Sequence, residues 1–172
     1  LDEKRGIVYA PIGSASYDFY GGKRKGDNLF ANSILALDAA TGKKIWHFQT
    51  VHHDVWDRDL PTAPALVTVE QNGEKIDAVA QPTKGGLVFL FDRTSGKPLF
   101  PIEEITVPNI SELKGEKLSP TQPWLIDNEP FARQRFTEKD VNPFVSKEEQ
   151  EEIRLKLQSL STGFSFNPPT KK

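Results

Sequence analysis

Residues 52 to 59 read His-His-Asp-Val-Trp-Asp-Arg-Asp, so three carboxylates and two imidazoles stand beside an indole within eight positions. Carboxylates give oxygen ligands to a hard cation and can accept a substrate proton. Asp54, Asp57 and Asp59 are therefore candidates for a cation site or a general base, and one of the three is expected to do chemistry. His52 and His53 are adjacent, and on an extended segment they point to opposite sides, which suits a shared ion poorly. The alternative is a polar loop whose Asp and His side chains satisfy nearby backbone groups. Downstream, Lys84-Gly85-Gly86 offers an ammonium for a carbonyl or carboxylate oxygen, with glycines that let the backbone approach closely; a hairpin turn with a solvated lysine is its alternative.

The elements that must position these groups are announced by an internal repeat. Ala36-x-Asp38-x-x-x-Gly42-Lys43-x-x-Trp46 returns as Leu90-x-Asp92-x-x-x-Gly96-Lys97-x-x-Phe100, every matched position displaced by 54 residues. In each copy an alternating apolar stretch leads into the Asp, a Thr/Ser-Gly-Lys turn follows, and an aromatic comes three residues after the Lys. That pattern predicts strand, tight turn, strand, with the Gly at positive φ and the Asp bonding amides ahead of it. Further strands are expected within Gly6–Pro11, within Pro64–Val69 before an Asn72-Gly73 turn, and across that turn at Ile76–Ala80. Repeats of roughly 40 to 55 residues with about four strands each have the period of propeller blades.

From Pro98 to Pro143 the character changes: seven of the thirteen prolines fall there with little periodicity, which reads as an irregular excursion over a surface. One helix follows. Ser146-x-x-Glu149 is a capping box, acids crowd the first turn, Ile153, Leu157 and Leu160 share a face, and Thr162-Gly163 stops it. It is expected to cover the β part. The chain is thus divided into blades at 1–105 and the excursion with its covering helix at 106–172, both within one propeller domain.

Composition removes several classes. Lys and Arg total 22 against 24 Asp and Glu, and the net charge of −2 gives no reason to expect a nucleic-acid or anionic-membrane partner. A small molecule is the expected partner. Cysteine is absent, so disulfides and thiolate chemistry are excluded within these 172 residues. No apolar run approaches the roughly 18 residues of a membrane helix. The charged start without Met and the Pro-Pro-Thr-Lys-Lys end suggest a piece of a longer protein.

Gly21-Gly22, Gly26-Asp27-Asn28, the Asp38-to-Trp46 repeat with Gln49, His53-Asp54-x-Trp56-Asp57, Lys84-x-Gly86 and Asp92-Arg93-x-x-Gly96, in this order, resemble the pyrroloquinoline-quinone (PQQ)-dependent dehydrogenases. The likeness is to the branch of membrane-bound glucose and quinate/shikimate dehydrogenases. It implies an all-β fold: part of an eight-bladed β-propeller, two to three four-stranded blades, whose repeated Trp motif locks blade to blade through Trp46 and Phe100. By the same resemblance Asp57 is the catalytic base, and Lys84 contacts the quinone's carbonyl oxygens while Trp56 and His53 shape that pocket.

The resemblance also implies a divalent cation, calcium or magnesium, with Asp57, Ser14 and Asp59 as its candidate ligands in this segment. Many relatives carry Asn where Ser14 stands. An acid at the Asp59 position occurs in lanthanide-using relatives as well as in calcium- and magnesium-using ones. Implied with the family are a sugar, polyol or cyclic hydroxy-acid substrate, ubiquinone or a cytochrome c as electron acceptor, and a periplasmic location. The cation-binding glutamate, the adjacent-cysteine disulfide and the other blades would lie outside residues 1–172, so the isolated segment is expected to be inactive. The competing expectation is a non-catalytic propeller scaffold, which would need the Gly-Lys-x-x-Trp turns but not Asp57 or Lys84.

Overall fold

Asp38 and Asp92 each close the same turn, and the two sheets are built outward from it. Asp38 Oδ1 accepts the N–H of Ala40 and Thr41 and the Thr41 hydroxyl, while Gly42, at φ +69°, returns its N–H to the Asp38 carbonyl. Asp92 does the same with Thr94, Ser95 and Gly96 at φ +71°. The computed structural model describes residues 1–160, 162 and 165–170. Among these, β1 (Ile7–Pro11), β2 (Ser33–Asp38) and β3 (Lys44–Gln49) form one antiparallel meander; β4 (Ala65–Gln71), β5 (Glu74–Pro82) and β6 (Val88–Asp92) form a second. Asn72 and Gly73, at φ +55° and +80°, join β4 to β5 in the hairpin expected of an Asn-Gly pair.

Consecutive meanders are the architecture of propeller blades. Each of these two sheets has three strands. A fourth begins in the second sheet, where Phe91 bridges Pro98 and Leu99 donates to the Leu90 carbonyl at 2.9 Å. Pro98 and Pro101 lack the N–H groups a longer ladder needs, so the strand ends there.

The two sheets meet around Trp46. Its indole packs on Tyr9 and Phe91, and its Nε1–H donates to the Arg93 carbonyl at 3.0 Å, which also accepts the Tyr9 hydroxyl at 2.8 Å. Gly96 lies so near the ring that a Cβ there would come within 2.5 Å of it. The Trp of the first repeat therefore docks on the Gly turn of the second. Phe48, Phe89 and Phe91 continue this core, and Phe100 packs against it. Arg93 reinforces the junction, donating to the Val67 and Ala78 carbonyls and to Asp2.

The proline-rich stretch is more ordered than its composition suggests. It contains an antiparallel hairpin, β7 (Ile102–Thr106) with β8 (Thr121–Leu125). Prolines and paired glutamates obscure the alternation of these strands in the sequence. α1 (Lys147–Gln158) has the expected capping box at Ser146 and Glu149, but it ends at Ser159, and Gly163 lies outside the described residues. None of its residues is buried. Leu157 faces the neighbouring segment 135–138 across a shallow cleft, so the helix does not cover the sheets as expected. A 12-residue helix held by its cap and terminal charges can form locally without a core contact to fix where it lies.

Candidate active site

Asp54 organises the loop between β3 and β4. It is 1% exposed and accepts the Ser14 hydroxyl at 2.5 Å, the Asn32 amide at 2.8 Å, and the N–H groups of Trp56 and Arg58 at 2.8 and 2.6 Å. A carboxylate so enclosed folds the loop over itself and presents no oxygen to a substrate. Although the sequence admits Asp54 as a base or cation ligand, the structure uses it instead as a strut that sets the turn projecting Asp57 and Asp59.

Those two acids converge on one ammonium. Lys84 Nζ lies 2.9 Å from Asp57 Oδ2 and 2.7 Å from Asp59 Oδ2. Asp57 sits at φ +59°, a left-handed conformation that Asp tolerates and that reverses the chain. Asp59 is held from both sides, since its Oδ1 accepts the Ser14 N–H at 2.7 Å. Hydrogen bonding to Lys84, and then to the Ser14 amide, pulls the Asp59 pKa down to about 2. Asp59 first and Asp57 second raise that of Lys84. Asp57 differs from Asp59 in one respect: among the described residues nothing donates to its Oδ1. With side chains 34% and 40% exposed, Asp57 and Lys84 lie on an open face rather than in a closed cleft.

The remaining candidates separate. Trp56 is half-buried beside this loop, donates to the Asn167 carbonyl at 2.7 Å and meets Phe166 edge to face. The Ser14 hydroxyl is committed to Asp54 and the Asn32 amide, so only its backbone N–H reaches the triad. His52 and His53 do diverge. His52 contacts Gln49 and, at 3.0 Å, Glu104 on β7. His53 is 2% exposed, bonds the Gly26 carbonyl through Nδ1, and packs its other edge on Gly21, where any Cβ would collide with it. It borders a separate cleft of about 240 Å³ with Asp27 and Lys117, and the structure does not bring it to Lys84.

Three residues that matter here carry no readable sequence signal. The Gln122 amide, fully buried, pairs with both backbone groups of His52 at 2.8 Å and so ties β8 to the loop. Gln134 caps the Gly85 carbonyl, and Ser165 bonds Gln134. All lie 31 to 70 residues from their partners, beyond the reach of local pattern.

Two acids of the β3–β4 loop and a lysine that follows β5 thus meet at one place on the surface. Over residues 1–172 the chain matches the PQQ family described as the glucose/ethanol/alcohol dehydrogenase β-propeller domain. The chain belongs to this family.

Within it, the chain is 44% identical over 124 residues to the quinoprotein glucose dehydrogenase of Escherichia coli, a match covering 72% of this chain and 16% of that protein. It is 39% identical over 142 residues to a probable quinate dehydrogenase (quinone) of Xanthomonas campestris, covering 81% and 18%. Among solved structures, the quinohemoprotein alcohol dehydrogenase of Pseudomonas putida superposes with a TM-score of 0.55 at 30% identity, covering 73% of this chain and 18% of that one. The chain spans about a sixth of the length of these curated relatives. This propeller-family segment therefore holds two meanders and a hairpin, with the triad on the loops that leave them.

Proposed function

We propose that this segment supplies the general base and the quinone-facing cation of a PQQ-dependent dehydrogenase that oxidises a sugar, polyol or cyclic hydroxy acid. The observation that carries the reading is the convergence of Asp57 and Asp59 on Lys84, from 27 and 25 residues away along the chain. A scaffold has no use for a lysine held between two acids on an open face.

The donor set suits the quinone. Lys84 has three N–H donors and directs two to the acids, which leaves one for an electronegative oxygen. PQQ, when bound, supplies an electrophilic carbonyl carbon that accepts the hydride equivalent. Asp57 Oδ1 takes the substrate hydroxyl proton, while the other oxygen of the same carboxylate accepts from the Lys84 ammonium at 2.9 Å. Lys84 stabilises the negative charge that grows on the acceptor oxygen. Asp59, with one bond to each oxygen, holds Lys84 in place.

A calcium or magnesium ion, or a lanthanide, fits these residues in part. Asp57 offers its open oxygen, and Asp59 has lone pairs beyond the two in use. Among the described residues no three His, Asp or Glu side chains form a metal cluster, so further ligands would come from other parts of the parent protein. A bound cation would polarise the acceptor carbonyl as a Lewis acid. Ubiquinone or a cytochrome c as electron acceptor and a periplasmic setting complete the proposal, on the strength of the family.

The test is Asp57→Asn in the full-length parent, assayed by dye-linked oxidation of a panel of sugars, polyols and cyclic hydroxy acids. Activity should fall by three orders of magnitude or so, on the scale of a lost general base and its charge, while the unfolding midpoint stays within about 1 °C. Retained turnover in a folded variant defeats the reading.

A further inference from the structure

The turn that carries Lys84 is gripped from the far end of the chain. Gln134 donates its amide to the Gly85 carbonyl at 2.8 Å and to the Ala132 carbonyl at 2.9 Å, while Phe131 N–H donates to the Gly86 carbonyl at 2.8 Å. Gly86 stands at φ +79°, and a Cβ there would come within 2.7 Å of Ala132 and 2.9 Å of Gln134. The Ser165 hydroxyl then donates to Gln134 Oε1 at 2.6 Å. Arg58, lying between the two site acids in sequence, donates to the Ser165 carbonyl and lays its guanidinium 4.4 Å from the Phe166 ring centre. The contacts close a circuit: from Asp57 and Asp59 through Arg58 to Ser165, through Gln134 to Gly85, and through Lys84 back to the acids.

We propose that Gln134 is a positioning residue for the oxidation: acting through Gly85 on one side and through Ser165 and Arg58 on the other, it sets where the Lys84 ammonium stands relative to Asp57. The inference rests on the functional reading above. Gln134 is suited to this because both ends of its amide are engaged by separate chain segments, so it fixes a distance rather than filling space. An amide-to-carbonyl bond contributes only about 1 kcal/mol to stability. A displacement of about 1 Å in a reacting constellation, by contrast, can cost roughly 10²-fold in rate. The predicted effect is therefore large on turnover and small on folding.

The experiment uses the full-length dehydrogenase and compares Gln134→Leu, Ser165→Ala and Asp57→Asn by steady-state kinetics across pH, with thermal unfolding as the control for fold. Gln134→Leu should lower kcat by 10- to 100-fold with substrate KM changed less than threefold. A purely structural role would lower the unfolding midpoint without this split between kcat and KM. Ser165→Ala should lower kcat in the same way by a smaller amount, and it keeps the test alive if Gln134→Leu does not fold. If Asp57→Asn is inactive while the folded Gln134 and Ser165 variants keep the parent's kcat, the positioning role is overturned and the base assignment stands. If Asp57→Asn is active, the functional reading itself fails.

Discussion

Lys84 meets Asp59 at both ends of the residue: its Nζ donates to Asp59 Oδ2 at 2.7 Å, and its backbone N–H donates to the Asp59 carbonyl at 3.2 Å. The main-chain bond fixes where the lysine leaves the backbone, so a long flexible side chain needs little further restriction to reach its acids. Asp57 then joins an ammonium already in place and keeps one oxygen open. Of two acids on the same loop, one is bonded through both oxygens and the other through only one.

That division has a pH signature. Folding lowers the Asp59 pKa to about 2 from an ordinary 3.8, so the unfolded chain binds more protons in this range. The stability Asp59 contributes is complete above pH 4 or so and is lost as pH falls through 2. Urea midpoints of the full-length protein between pH 5 and 2 should drop less steeply in Asp59→Asn than in the parent. Parallel slopes would mean that Asp59 is no better paired in the folded state than in the unfolded one.

Removing the shared cation should also be costly for turnover. Lys84→Met leaves Asp57 and Asp59 facing each other without compensation, and kcat/KM should fall about 10²- to 10³-fold. Lys84→Arg keeps the charge but forks differently, and should recover part of that loss. Equal activity in all three proteins would detach Lys84 from the reaction.

The two turn glycines separate a backbone requirement from a packing requirement. Gly42 and Gly96 have nearly the same φ, but a Cβ at Gly42 meets nothing within 4 Å, whereas one at Gly96 strikes the Trp46 ring. Gly42→Ala should cost about 1 kcal/mol, from left-handed backbone alone. Gly96→Ala should cost roughly 2 to 4 kcal/mol, because overpacking adds to the same term. Denaturant titration of the two variants reads the difference directly, and equal costs would mean that Trp46 yields freely.

Asp54 and Asp57 should respond in opposite ways to the same substitution. Asp54→Asn replaces an enclosed acceptor of four bonds with a group that is half donor, and should cost on the order of 3 kcal/mol. Asp57→Asn, at an exposed position with a single bond, should leave the unfolding midpoint nearly unchanged. Differential scanning fluorimetry of both variants suffices. A stable Asp54→Asn would show that the loop does not depend on its buried carboxylate.

The strands and turns were legible because their causes are local. Alternation, an Asn-Gly pair and an Asp-x-x-x-Gly turn act within a few residues, and the two turns repeat bond for bond. His52 and His53 diverge as expected but not by the alternation of an extended segment, since His53 sits at φ +45° in a bend. The β7–β8 hairpin was hidden because Glu103-Glu104 breaks the alternation of β7 and Pro123 falls inside β8.

By itself the sequence determined that this chain builds repeated antiparallel sheets, and its resemblance to the PQQ family singled out Trp46 as a blade contact and Asp57 and Lys84 as site candidates. The tertiary structure alone decided which of three nearby acids is buried as a strut, which is held on the lysine, and which keeps an oxygen free. It also took the expected covering helix off the sheets and placed Gln134 and Ser165 behind the site. The reason is range. Propensity and periodicity act over a turn or two of chain, whereas a carboxylate's role is set by which donors reach it, and these arrive from as far as 45 residues away.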